Sequence, residues 1–161
     1  MSGQRQVAVI GGAKCEPSSE AAVLAEEVGK RLAYAGVTLV CGGMTGVMEA
    51  ACRGVAEADG VAIGLVPGNS IDEANPYCSH VIATGIGHAR NLAVVSSGDA
   101  VIAIGGEWGT LSEIGFARAL GRPVVALRSW SMSGRERMEG APGVVPAETA
   151  REAVELALEA F

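Results

Sequence analysis

Glu113 stands at the end of the run Ile104-Gly105-Gly106-Glu107-Trp108-Gly109-Thr110-Leu111-Ser112-Glu113. A glycine-rich turn leading into a helix aims backbone N–H groups at an anion, and the helix dipole adds to the attraction. A second such turn is Gly42-Gly43-Met44-Thr45-Gly46, and Gly11-Gly12 forms a shorter one. Between them in sequence lies Gly87-His88-Ala89-Arg90-Asn91. Arg90 is charged at any working pH, so it can orient a phosphate, a ribose or a leaving base but cannot donate a proton. Glu113 has two readings. As a carboxylate at a sugar site it would steady an oxocarbenium-like centre and activate water. As part of Thr110-Leu111-Ser112-Glu113 it would be the N3 residue of a capping box with Thr110 at N-cap. The same pattern recurs in Thr149-Ala150-Arg151-Glu152 without a glycine-rich lead, where capping is sufficient.

The elements around these residues alternate. Short apolar runs at 6–10, 37–41, 61–66, 81–83, 99–104 and 124–127 read as strands, each followed or preceded by turn residues. Helical patterns cover about 20–35, 47–58, 88–97, 111–120 and 150–160. In the first of these, Leu24, Val28 and Leu32 share a face, and Glu26 with Lys30 and Glu27 with Arg31 have the favourable order for helical ion pairs. Residues 69–80 and 129–146 read as loops. Continuous apolar strands between helices indicate a parallel sheet covered on both faces. The expectation is one α/β domain over 1–161, a three-layer Rossmann-like sandwich. Ligands in such sheets bind beyond the carboxyl ends of the strands, where all three glycine turns fall. The binding candidates are Gly12, Gly42, Gly43, Thr45, Gly46, Asn91, Gly106, Glu107, Gly109 and Thr110, with Arg90 and Glu113 as the reactive pair. His80 and His88 read as solvent or loop residues, of which His88 could reach the ligand.

Composition narrows the partners. A net charge of −6 and the lack of a basic stripe argue against a nucleic-acid polymer. No apolar run is long enough for a membrane span, and the start is too polar for a signal peptide, so the expected location is cytoplasmic. Cys15, Cys41, Cys52 and Cys78 form no C-x-x-C pair, and with two distant histidines they predict no metal site. Most of them read as small buried hydrophobes. No G-x-x-x-x-G-K-[ST] and no G-x-G-x-x-G after the first strand occur, which removes the triphosphatase and dinucleotide signatures and leaves no expected cofactor.

Taken together, Gly42-Gly43-Met44-Thr45-Gly46-Val47-Met48, Gly87-His88-Ala89-Arg90-Asn91 and Gly105–Glu113 resemble the LOG-like family, formerly described as "lysine decarboxylase". The order and separation of the blocks match over roughly residues 6–128. The resemblance implies a Rossmann-like fold, a homodimer or homotetramer, and phosphoribohydrolase activity on cytokinin nucleoside 5′-monophosphates and AMP, with Arg90 and Glu113 essential. Met44, Met48 and Trp108 would be interface candidates. Two departures stand out: Gly105-Gly106-Glu107 where the family has Pro-Gly-Gly, and Arg90-Asn91 where it has Arg-Lys. These variants look more like a sister branch of short proteins that includes the molybdenum cofactor carriers, whose ligand is a phosphorylated pterin. That branch implies a non-catalytic carrier.

Overall fold

The computed structural model describes residues 3–130 and 143–161. The strands are β1 (Gln6–Gly11), β2 (Thr38–Cys41), β3 (Ala62–Val66), β4 (His80–Ala83), β5 (Ala100–Ile104), β6 (Val124–Leu127) and β7 (Val144–Ala147). The helices are α1 (Glu20–Tyr34), α2 (Val47–Glu57), α3 (Arg90–Ser97), α4 (Trp108–Ala119) and α5 (Ala150–Glu159). The strands form one seven-stranded sheet in the order β4-β3-β2-β1-β5-β6-β7, and every pairing is parallel. This is the expected Rossmann-like α/β sandwich.

Alternation along the buried strands assigns the faces. Val7, Val9, Leu39, Cys41, Ile102 and Ile104 pack with α1, α2 and α5. Ala8, Ile10, Val40, Val101 and Ala103 pack with residues of α3 and α4. On the first face the helices approach unusually closely. A Cβ on Gly29 would strike the Ala51 carbonyl oxygen, and one on Gly54 would strike that of Glu26. Around this contact Glu26 bonds Lys30 at 2.9 Å and Arg53 at 2.8 Å, and Arg31 meets Glu27 at 2.7 Å. The ion pairs expected from spacing within α1 are therefore present, joined by two from α2, Arg53 to Glu26 and Glu57 to Lys30 at 2.8 Å each.

Two boundaries differ from the sequence expectation. Residues 144–146, read as the end of a loop, belong to the edge strand β7 (Val144–Ala147); Pro146 has no N–H to give a sheet and so disguised it. Residues 131–142 of the same expected loop lie outside the described residues. The helix α4 begins at Trp108, a turn before Leu111. Its N-cap is Glu107, which makes no side-chain cap. The capping box read into Thr110 and Glu113 therefore does not exist: both residues are already inside the helix. The matched pattern at α5 is real, since Thr149 Oγ1 accepts from the Glu152 N–H at 3.1 Å. There the Glu152 carboxylate reaches back to the Glu148 N–H at 2.9 Å.

Candidate functional site

The sheet order reverses between β1 and β5, and a parallel sheet opens a crevice where neighbouring strands send their chains to opposite faces. At that place lies a cavity of about 220 Å³ lined by residues of β1 and its turn, Gly42, Met48, His88, Arg90, Asn91, Glu107, Gly109, Thr110 and Glu113. The structure thus brings Gly12, Gly42, Arg90, Asn91, Glu107, Gly109, Thr110 and Glu113 to one wall-to-wall site. Gly43, Thr45, Gly46 and Gly106 do not line it.

The two glycine turns play unlike parts. At α2 the first free amide is already taken: the Val47 N–H donates to the Gly12 carbonyl at 3.0 Å. Thr45 Oγ1 donates to the Ala13 carbonyl at 2.8 Å. Gly46 holds φ at +67°, and a Cβ there would collide with the Gly12 carbonyl oxygen. Gly43, at φ +71°, sits under the turn with its carbonyl accepting from the Asn75 backbone N–H at 2.8 Å and from Asn75 Nδ2 at 3.2 Å. The Gly42–Gly46 turn therefore serves as a bracket, its first helix amide held by the β1 turn rather than left free for a ligand.

The turn before α4 is open. Only Leu111 begins the helix ladder, donating to the Glu107 carbonyl at 3.1 Å, so the amides of the first turn remain directed outward at the helix N-terminus. Gly109 has nothing within 4 Å of where a Cβ would stand. Trp108 is 77% exposed beside this turn and lies 5.4 Å from Trp130, centroid to centroid. Trp130 Nε1 donates to the Glu107 carbonyl at 3.4 Å, which fixes the second ring over Gly106.

Gly42 supplies space for the guanidinium: a Cβ there would overlap Arg90 and stand 2.7 Å from Met48 Sδ. Arg90 Nη1 donates to Asn91 Oδ1 at 2.9 Å, and its Nε is buried with no hydrogen-bond partner among the described residues. Glu113 is 7% exposed. Burial pushes its carboxyl up to about 7, against the opposing pull of the Arg90 charge. Burial likewise lowers Arg90, opposed chiefly by Glu113. Glu107 adds a second carboxylate at the rim, its side chain 3.6 Å from a Cβ position on Gly12.

His88, the loop histidine that could reach the ligand, does line the cavity, two residues before Arg90. Met48, expected at an interface, is buried at the cavity floor, and Met44 is half-buried. Of those interface candidates only Trp108 is exposed.

Comparison with known proteins agrees with this architecture. Residues 4–154 match the model of the SLOG cluster4 family. A probable cytokinin riboside 5′-monophosphate phosphoribohydrolase of Oryza sativa subsp. japonica is 31% identical over 68% of this chain and 46% of its own length. The chain thus spans less than half of that rice protein. The molybdenum cofactor binding protein of the phototrophic bacterium Rippkaea orientalis superposes with a TM-score of 0.87 at 30% identity, covering 99% of this chain and 98% of that one. The molybdenum cofactor carrier protein of Chlamydomonas reinhardtii gives 0.82 at 29%, covering 97% of each. With its family model matched nearly end to end, this chain belongs to the SLOG cluster4 family.

Proposed function

We propose that the protein binds a phosphorylated pterin of the molybdenum cofactor type in the Arg90–Glu113 crevice and carries it without turnover. The observation that bears most weight is the charge arrangement of the cavity: one guanidinium, one buried carboxyl raised to about 7, and Glu107 at the rim. At neutral pH a substantial share of Glu113 holds its proton. A neutral carboxyl both donates and accepts, which suits the N–H and N edge of a planar heterocycle. It also lacks the full negative charge that would steady an oxocarbenium ion. The phosphate would lie at the open α4 amides and Arg90, which together offset the Glu107 carboxylate at the same rim. The exposed Trp108, set against the half-buried Trp130, offers an apolar surface beside that opening. The likeness in length and fold to the two molybdenum cofactor proteins supports the reading.

A second reading has its own observation. A carboxyl raised by burial beside an arginine is suited to protonate a leaving base, so nucleoside 5′-monophosphate hydrolysis uses the same pair. Protein purified from cells that make the cofactor separates the two. The carrier reading expects molybdenum and a pterin that fluoresces after oxidation, and no adenine released from AMP. Stoichiometric adenine release with no bound molybdenum or pterin would reverse the assignment.

A homodimer or homotetramer belongs to the same proposal. Leu92 of α3, with Phe116 and Leu120 at α4, leave large apolar surface exposed on one side of the sheet. A second copy covering that surface would account for it. Among the described residues no helix is long and apolar enough to cross a membrane. Light scattering at micromolar concentration expects a mass of two or four chains, and a monomer would refute this part.

A further inference from the structure

Beneath the Gly42–Gly46 bracket lie three thiols that the crevice does not use. Cys41 Sγ is 3.5 Å from Cys52 Sγ, and Cys52 Sγ is 3.8 Å from Cys78 Sγ. Cys41 and Cys52 are buried, whereas Cys78 is half-buried in the irregular segment before β4. The fold makes room for the group: a Cβ on Gly64 would stand 2.7 Å from Cys78 Sγ.

We propose that Cys78 is a site of peroxide oxidation, that Cys52 resolves it as an intramolecular disulfide, and that closing this bond loosens the Gly42–Gly46 bracket. Access picks the first thiol, since Cys78 is the member of the cluster that solvent reaches. Its neighbours favour the thiolate as well: hydrogen bonds from Cys41 and then Cys52 hold it below the ordinary thiol value, outweighing burial. Hydrogen bonding to Cys41 and Cys78, and then burial, push Cys52 the other way, so it waits as a thiol. The Cys78 thiolate attacks one peroxide oxygen, the O–O bond breaks, and the departing hydroxide takes a proton to leave as water. Cys52 then gives up its proton and attacks the Cys78 sulfenic sulfur. The S–S bond forms, the S–O bond breaks, and a second water leaves. Two thiols lose two electrons and the peroxide gains them.

The consequence follows from which side can move. A disulfide is about 2 Å long, so the sulfurs must close by about 1.8 Å from their present separation. Cys52 sits mid-way along α2, which α1 grips backbone to backbone at Gly54. The segment 75–78 is the softer partner. It is also the clamp on the bracket, because Asn75 donates to the Gly43 carbonyl from its backbone and to the Met44 carbonyl from Nδ2 at 2.9 Å. The Cys78 N–H donates to the Asn75 carbonyl at 3.4 Å, which ties the thiol's motion to that clamp.

The test is peptide mapping after equimolar hydrogen peroxide. Trypsin with a glutamate-specific protease cuts after Glu49, Arg53, Glu73 and Arg90, which separates Cys41, Cys52 and Cys78 into different peptides. The expected product joins 50–53 to 74–90 with Cys15 still reduced. In Cys52→Ser, Cys78 should persist as a sulfenic acid trapped by a 1,3-dione. Hydrogen exchange at 42–46 should become roughly tenfold faster in the cross-linked wild type, about the loss of one net hydrogen bond, and revert with dithiothreitol. A link to Cys41, Cys15 oxidised as fast as Cys78, or no link in the folded protein would overturn the site. Unchanged exchange in fully cross-linked protein would overturn its coupling to the bracket. None of these readouts needs a ligand, so they stand apart from the carrier assignment.

Discussion

The turns before α2 and α4 share glycines, a preceding parallel strand and a following helix, yet one is closed and the other open. The difference is made by β1. Its chain leaves the sheet through Gly11-Gly12-Ala13, and the carbonyls of Gly12 and Ala13 take the Val47 N–H and the Thr45 hydroxyl. Among the described residues no backbone carbonyl is shown to take the first amides of α4 in this way. Glycine content alone therefore does not make an anion site; what matters is whether another backbone arrives first.

The largest effect should come from forcing a side chain into the closed turn. Gly46→Ala combines a left-handed backbone with a collision against the Gly12 carbonyl, which cannot rotate away. The expected loss is about 3 kcal/mol or more, the backbone penalty plus overpacking. Gly105→Ala is the matched change in the open turn. It shares the left-handed backbone, at φ +58°, but the nearest atom to its Cβ is Ala21 Cβ at 3.6 Å. It should cost only about 1 kcal/mol. Denaturant melts of the pair decide this, and equal losses would remove the distinction between the turns.

The next effect is electrostatic. Glu113 binds a proton more tightly folded than unfolded, its folded value lying near 7 against 4.5. Between those values the native state holds more protons, so Glu113 makes stability fall as pH rises through this window. Above about pH 7 the full cost is present, and below about 4.5 it is gone. Glu113→Gln should thus be more stable than wild type at pH 8 by roughly 1–3 kcal/mol, with the gain vanishing by pH 4. A flat difference for Glu113→Gln would mean that the carboxyl is not desolvated.

A smaller, local effect is expected at Gly42. An alanine there would overlap the Arg90 guanidinium, which is the movable end of a long side chain. The fold should therefore lose only about 1 kcal/mol, while ligand affinity should fall by roughly tenfold or more as Arg90 leaves its position. Calorimetry with the extracted pterin ligand, or with inorganic phosphate as a probe, measures it. Unchanged affinity would place Arg90 outside the recognition of the phosphate.

Much of this architecture is legible in the residues. The strands of the sheet interior are continuous apolar runs, and period-two burial follows from them without further information. The edge strand β7 was not legible, because Pro146 and its irregular lead carry loop composition. Arg90 and Glu113 could be nominated from their glycine-rich settings, and they do line one cavity. The start of α4 could not. Thr110 to Glu113 satisfies the capping pattern locally, but the helix begins at Trp108 because Glu107 takes the extended N-cap conformation. Long-range contacts were equally hidden: no spacing rule reveals that Gly12 caps α2 from another strand, or that Cys41, Cys52 and Cys78 converge.

The smallest expected effect on the fold tests the open turn most directly. Gly109 lies in the first turn of α4 and lines the crevice, with nothing within 4 Å of a Cβ position. Its backbone is helical, so alanine meets no strain there and gains helix propensity. Gly109→Ala should therefore stabilise the protein by about 0.5–1 kcal/mol, raising the melting temperature by roughly 1–4 °C for a chain of this size. The added methyl would occupy space at the outward-facing amides, where the proposal puts a phosphate. Affinity should then fall while stability rises, a separation that a merely structural turn would not produce. The same change in a closed turn could only destabilise. If Gly109→Ala melts higher and binds the pterin ligand as wild type does, the α4 amides are not the phosphate site. The anion would then have to rest on Arg90 alone.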